Sequence, residues 1–248
     1  MVETFKTDLG ILYHADCFDI MEELIETDIK VDMILADLPY GTTKNKWDCP
    51  LDLVRLWKCY DALIKERGAI VLTAQTPFDK VLGVSNLKYL KYEWIWEKSK
   101  PTGHLNSKKM PMKNHENILV FYRKPPTYNP QFTEGKPYVA KAKGALRSSN
   151  YGHQVDIVSI NDGFRYPKSI QKFPYDTVKL HPTQKPLNLF KYLIKTYTNR
   201  DDIVLDNVVG SGTTPVACEE LGRRWIAIDN EKEYFDITVN RIRSECGR

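Results

Sequence analysis

Apolar positions in this chain fall into short unbroken blocks, and between the blocks they recur with a helical period. Residues 11–14 (ILYH) predict a strand, and Asp16 an acidic turn into an amphipathic helix carrying Met21, Leu24 and Ile25. The block VDMILA at 31–36 is too short for a helix and stops at Asp37-Leu38-Pro39-Tyr40-Gly41, which predicts a buried strand ending in a turn. From 52 to 67, apolar side chains recur at Leu53, Leu56, Trp57, Tyr60, Leu63 and Ile64; that spacing predicts a helix, with Gly68 as its C-terminal cap. Further strands are expected over 69–74, 92–97 and 118–122. The rhythm resumes with a strand at 203–205 running into Asp206, a glycine turn, a helix over 214–221, a strand over 225–228 and a last helix over 233–243. Buried strands alternating with helices predict an α/β fold, a mostly parallel, doubly wound sheet covered on both faces.

Between residues 123 and 179 this alternation breaks. The stretch holds six prolines and ten basic residues against four acidic ones, with Tyr128, Phe132, Tyr138, Tyr151, Phe164, Tyr166, Phe173 and Tyr175 interleaved. Such a segment is either a solvated insertion whose aromatics pack on the main domain, or a polyanion-facing surface in which cations meet phosphates and rings meet bases. Composition leaves both open. The expected division is a main domain over 1–123 and 180–248 with an insertion over 124–179.

The whole chain, 248 residues with 42% hydrophobic and 27% charged, can build a core without disulfide or metal. Its net charge of +4 is too mild to name a partner. No apolar run reaches the ~18 residues of a membrane span, and the N-terminus lacks the pattern of a secretory signal. Five scattered cysteines without a C-x-x-C suit free thiols in a reducing compartment, so a cytoplasmic location is expected. Neither the cysteines nor the five histidines show metal-ligand spacing, and no metal is expected.

Two turns carry candidate chemistry. Asp206-Asn207-Val208-Val209-Gly210-Ser211-Gly212-Thr213-Thr214 lies between a strand and a helix, where glycines let backbone approach a ligand. Pro215 occupies the third glycine position of a dinucleotide fingerprint, and no lysine follows for a phosphate loop, so both of those sites are disfavoured. Asp16, Asp206 and Asp229 each end a strand; each alone reads as a helix cap, but together with the glycines they predict a crevice for an adenosine-containing cofactor. Asp37-Leu38-Pro39-Tyr40 also ends a strand. It is a serviceable turn, yet a carboxylate, a stiffened backbone carbonyl and an aromatic face also suit the exocyclic amine of a planar base.

At this point the chain resembles the DNA amino-methyltransferases, which methylate adenine N6 or cytosine N4 from S-adenosyl-L-methionine. Three blocks carry the resemblance: Asp37-Leu38-Pro39-Tyr40 for D-P-P-Y, His181-Pro182-Thr183-Gln184-Lys185-Pro186, and 206–214 for D-P-F-x-G-S-G-T-T. Their order resembles the permuted beta subgroup. The resemblance implies a Rossmann-like methyltransferase fold with a basic insertion for target recognition. It implies that Asp37 and the Leu38 carbonyl hold the target amine, with Pro39 stiffening the turn and Tyr40 stacking on the base. Asp206, Val208, Gly210, Ser211, Gly212, Thr213 and Asn230 would border the cofactor, with Asp229 on the ribose hydroxyls, Asp16 near the adenine amine, and Thr183 and Lys185 at the methionine part. Leu38 departs from the first proline, and Asn207-Val208 from Pro-Phe; neither change removes a group the chemistry requires. An aspartate at the first tetrapeptide position goes mostly with adenine. Double-stranded DNA is the implied partner, its target base flipped out, with a mobile loop expected over 42–48; a homodimer and a prokaryotic or phage context are consistent with the subgroup. Cytosine N4, an RNA or protein amine, or a decayed DNA-binding module remain the alternatives.

Overall fold

The computed structural model describes residues 2–41, 49–142, 157–177 and 184–247. The expected loop at 42–48 lies outside them, as does Thr183. The chain divides into two compact units, one up to Asn129 and from Ser169 onward, the other Pro130–Lys168.

The larger unit is built on strands β1 (Glu3–Lys6), β2 (Gly10–His14), β3 (Val31–Ala36), β4 (Ile64–Ala74), β5 (Leu90–Thr102) and β6 (Lys113–Phe121). In the smaller unit come β7 (Thr133–Glu134), β8 (Tyr138–Ala142), β9 (Ile157–Asn161) and β10 (Phe164–Arg165); β11 (Ile170–Phe173), β12 (Ile203–Asp206) and β13 (Arg224–Asp229) belong to the larger unit again. The helices are α1 (Cys17–Glu26), α2 (Leu53–Leu63), α3 (Phe78–Ser85), α4 (Leu187–Tyr197), α5 (Thr213–Leu221) and α6 (Lys232–Cys246).

The main sheet has nine strands in the order β1-β2-β13-β12-β3-β4-β6-β5-β11. From β2 to β4 every neighbour is parallel, as expected; β6 then pairs antiparallel with both β4 and β5. Side chains alternate across it. Ile34, Leu72 and Ile70 face the core beneath α1–α3, while Met33, Leu35 and Val71 face the core beneath α4–α6. That two-residue alternation, apolar on both faces, is why the strands read as unbroken blocks.

Gly68 does not cap a helix. The helix ends at Leu63, and β4 begins at Ile64, whose buried side chain pairs in register with Val31. Gly68 lies within that strand, where a Cβ would come 2.6 Å from the Ile64 side chain and 2.8 Å from the Asp32 carbonyl oxygen. The glycine is there for close approach. The strands expected over 92–97 and 118–122 are parts of the longer pair β5 and β6.

The smaller unit consists of two antiparallel pairs, β7 with β10 and β8 with β9. Phe132 packs on Tyr166 at 4.8 Å between ring centroids, and the Arg165 guanidinium lies 4.7 Å over the Tyr138 ring. Lys136, Lys141 and Lys168 are exposed on it. The boundary of this unit falls inside 124–179, because β11 pairs in parallel with β5 in the main sheet.

Candidate active site

Asp37 follows the last residue of β3, a central strand, at its carboxyl end. Asp37 Oδ1 accepts the Tyr40 hydroxyl at 2.7 Å and the Thr73 hydroxyl; Oδ2 accepts Lys185 Nζ at 2.6 Å. A carboxylate has about four acceptor directions. Three are occupied, and the side chain stays 26% exposed on the cavity. Leu38 is buried at 2% exposure in the core beneath α1–α3, so packing anchors the turn where a proline would stiffen it. Pro39 follows on the cavity wall, and the Tyr40 ring stacks on Phe78 at 5.3 Å.

Lys185 reaches Asp37 from the segment before α4, and its ammonium also lies 3.3 Å from Glu116 Oε2 and 5.6 Å from the Tyr40 ring centroid. Burial pulls the Lys185 ammonium toward deprotonation, but Asp37, Glu116 and Tyr40 outweigh it and hold its pKa well above the ordinary value. Burial, reinforced by the Asp37 charge, holds the Tyr40 hydroxyl protonated. Glu116 Oε1 in turn accepts Lys98 Nζ at 2.6 Å.

The glycine turn sits on the neighbouring strand ends, since β12 lies beside both β3 and β13. Gly210 has φ +55° and open space where a Cβ would stand, which makes a cradle for a ligand. Its N–H donates to Asp229 Oδ2 at 2.8 Å, and the Glu231 N–H donates to Asp229 Oδ1 at 2.9 Å. Gly212, φ +80°, caps the start of α5 and stands off the cavity wall, close under Thr238. Arg241 ties down the Ser211 carbonyl and the Thr213 hydroxyl, each at 3.1 Å. Asp206 accepts the Val208 N–H at 3.2 Å and the Thr214 hydroxyl, holding the turn from below. Burial pushes the Asp206 carboxyl up to about 7 and that of Asp229 up to about 6.

Asp16 caps α1, accepting the Phe18 N–H at 2.8 Å, and still lines the cavity. Asn207 accepts the Tyr60 hydroxyl at 2.6 Å, while its Nδ2 is buried without a hydrogen-bond partner. Asn230, Val208, Ser211 and Thr213 complete the same wall. The two turns thus open on one cavity of about 670 Å³ at the carboxyl ends of the parallel strands. Lys185, expected beside the methionine part, has its ammonium on Asp37 and only its backbone carbonyl toward Thr213, at 3.4 Å. Sequence reasoning did not single out Lys98 and Glu116. Glu116 shows only as a charge entering the buried half of β6, Lys98 is one of several charges on the mostly exposed β5, and only the β5–β6 register brings them together.

A family model described as DNA methylase matches residues 31–240. The type II methyltransferase M2.LlaDCHI of Lactococcus lactis subsp. cremoris is 26% identical, covering 96% of this chain and 91% of that protein. The DNA adenine methyltransferase YhdJ of Escherichia coli (strain K12) is 27% identical, covering 96% of this chain and 84% of that protein. Among solved structures, the M1.HpyAVI-SAM complex matches with a TM-score of 0.65 at 28% identity, over 93% of this chain and 98% of that one.

Proposed function

This chain belongs to the N6/N4 DNA methylase family, and from that premise we propose that it methylates the N6 amine of adenine in duplex DNA with Asp37 as the group that grips the amine. The family makes it an S-adenosylmethionine-dependent DNA methyltransferase. One observation carries the finer reading: the Asp37 carboxylate, fixed by Lys185, Tyr40 and Thr73, faces the same cavity as the Gly210 turn and Asp229.

The residues present suit that cofactor. The cavity has the volume for a nucleoside with an amino-acid tail, and the Gly210 cradle admits it closely. Asp229 takes the ribose hydroxyls, Asp16 the adenine amine, and the 210–213 backbone the methionine part. When bound, the cofactor supplies an electrophilic methyl group on a sulfonium.

The protein's part is orientation and electrostatics. The lone pair of the adenine amine is delocalised into the ring, so the amine is a poor nucleophile. Asp37 accepts one amine hydrogen and the Leu38 carbonyl the other, which favours a tetrahedral nitrogen and restores the lone pair. Asp37 is also the adjacent acceptor for the proton the nitrogen sheds. Because neither acceptor has to reorganise, the gain is proximity and preorganisation.

In duplex DNA this amine is stacked and paired, so the base is flipped into the cavity at a cost of a few kcal/mol. The exposed lysines and aromatics of Pro130–Lys168 suit phosphate contact and target recognition. Adenine rather than cytosine is supported by the aspartate at the head of the tetrapeptide and by the name of the relative YhdJ. A homodimer, common in the subgroup, belongs to the same reading and is checked by light scattering.

The test is labelled-methyl incorporation into DNA together with identification of the modified base. Wild-type protein should yield N6-methyladenine, and Asp37→Ala should lose at least about a thousandfold in kcat. N4-methylcytosine as the product would overturn the choice of base; intact transfer by Asp37→Ala would overturn the site.

A further inference from the structure

Behind Asp37 runs a line of buried ionisable groups that amine-gripping by itself does not require. Asp37 Oδ2 meets Lys185 Nζ at 2.6 Å, Lys185 Nζ meets Glu116 Oε2 at 3.3 Å, and Glu116 Oε1 meets Lys98 Nζ at 2.6 Å. Lys185, Glu116 and Lys98 have side chains only 7%, 6% and 3% exposed. Burying three charges is costly unless each has an opposite neighbour. Here the signs alternate, minus, plus, minus, plus, and the line ends in Asp37, the most exposed of four groups that all line the cavity.

We infer that Glu116 and Lys98 are positioning residues of the methyl transfer, acting through Lys185 to hold the Asp37 carboxylate aimed at the acceptor amine. This rests on the role of Asp37 proposed above. A buried lysine with one carboxylate for company can give up its charge, and the neutral amine then no longer fixes that carboxylate toward the acceptor. The second carboxylate, Glu116, keeps the proton on Lys185, and Lys98 keeps Glu116 ionised in turn. The groups facing Lys185 are Asp37 at the end of β3, Tyr40 in the turn, Glu116 on β6 and Tyr175 after β11, with Lys98 on β5 one step beyond. Of these only Glu116 and Asp37 carry negative charge at neutral pH. Glu116 is therefore the group whose loss leaves Lys98 unpaired and pushes positive charge against Lys185.

The experiment measures kcat against pH, with cofactor affinity by calorimetry and DNA affinity by anisotropy, for Glu116→Gln, Lys98→Met, the double variant, Glu116→Asp and Asp37→Ala. Glu116→Gln should bind cofactor and DNA within about threefold of wild type, yet lose about 10- to 100-fold in kcat. The alkaline limb of its pH profile should move to lower pH, because Lys185 gives up its proton sooner. Glu116→Asp should recover part of the rate. The double variant, with no charge stranded, should lose clearly less than the product of the two single losses. If a single variant does not fold, this charge-neutral double variant still decides. Losses that multiply, with an unmoved pH profile, would overturn the inference, as would kcat within twofold of wild type in the variants that fold. Intact transfer by Asp37→Ala would instead remove the reading beneath it, so the two failures are distinguishable.

Discussion

Asp229 shows how one side chain serves the fold and the ligand at once. It accepts the Gly210 and Glu231 N–H groups on its two oxygens, which sets the cradle, and burial pushes its carboxyl up to about 6. Asp206, deeper, is pushed up to about 7 by the same desolvation. Both groups hold protons in the folded state over a range where the unfolded chain has released them. Their contribution to the stability of the unliganded protein is therefore greatest at low pH and is lost as pH rises through 6 and 7. Cofactor binding has the opposite sign, because ribose hydroxyls and a sulfonium cation favour the ionised carboxylate. Cofactor affinity should fall by up to about tenfold per pH unit below pH 6 on account of Asp229. Asp229→Asn should cost about 10- to 100-fold in affinity at pH 7.5, since the amide returns a donor toward one N–H, and should remove the step near pH 6. Calorimetric titration from pH 5 to 8 checks both; a step near pH 6 that survives in Asp229→Asn would rule out Asp229 as its source.

At the scale of elements, β4 is the clearest case of what pattern can and cannot convey. Residues 69–74 read as a strand because both of their faces are apolar, and they are. The segment before them carries Leu63 and Ile64 at helical spacing, but Ile64 is claimed by Val31 across the sheet, a contact no local period encodes. Gly68→Ala should therefore destabilise by about 1–3 kcal/mol, since the added methyl meets a backbone oxygen that cannot yield; a urea midpoint equal to wild type would contradict that. The same division runs through the site. Asp37, Asp206 and Asp229 were legible because each ends an apolar block next to turn chemistry. Lys98 and Glu116 were not, because a charged residue on a strand looks like an edge or a solvent face until the register turns both toward the cavity. The eight residues of α3 are too few for a long periodic run, whereas α4 does carry a helical period, with Leu189, Phe190, Leu193, Ile194 and Tyr197 buried, that sequence reasoning passed over.

For the whole molecule the question is where a modest net charge of +4 is spent. A duplex carries about one charge per 1.7 Å of its axis, and each phosphate neutralised releases counterions, so binding weakens with salt by a slope of about 0.9 per contact. Spread evenly, so small an excess would give weak steering. The Pro130–Lys168 unit, however, exposes Lys136, Lys141 and Lys168 as well as Phe132, Phe164 and Tyr166, a combination of cations and rings that suits a nucleic-acid surface. Reversing all three lysines to glutamate should lower the slope of log affinity against log salt by about 2 to 3 and weaken DNA binding most at low salt. Cofactor affinity should stay unchanged, because the cofactor cavity is lined wholly by residues of the other unit. A slope identical to wild type would mean that phosphates are met elsewhere and that the aromatics of this unit serve its own packing; equal slopes with relaxed site preference would instead assign the unit to base readout without phosphate contact.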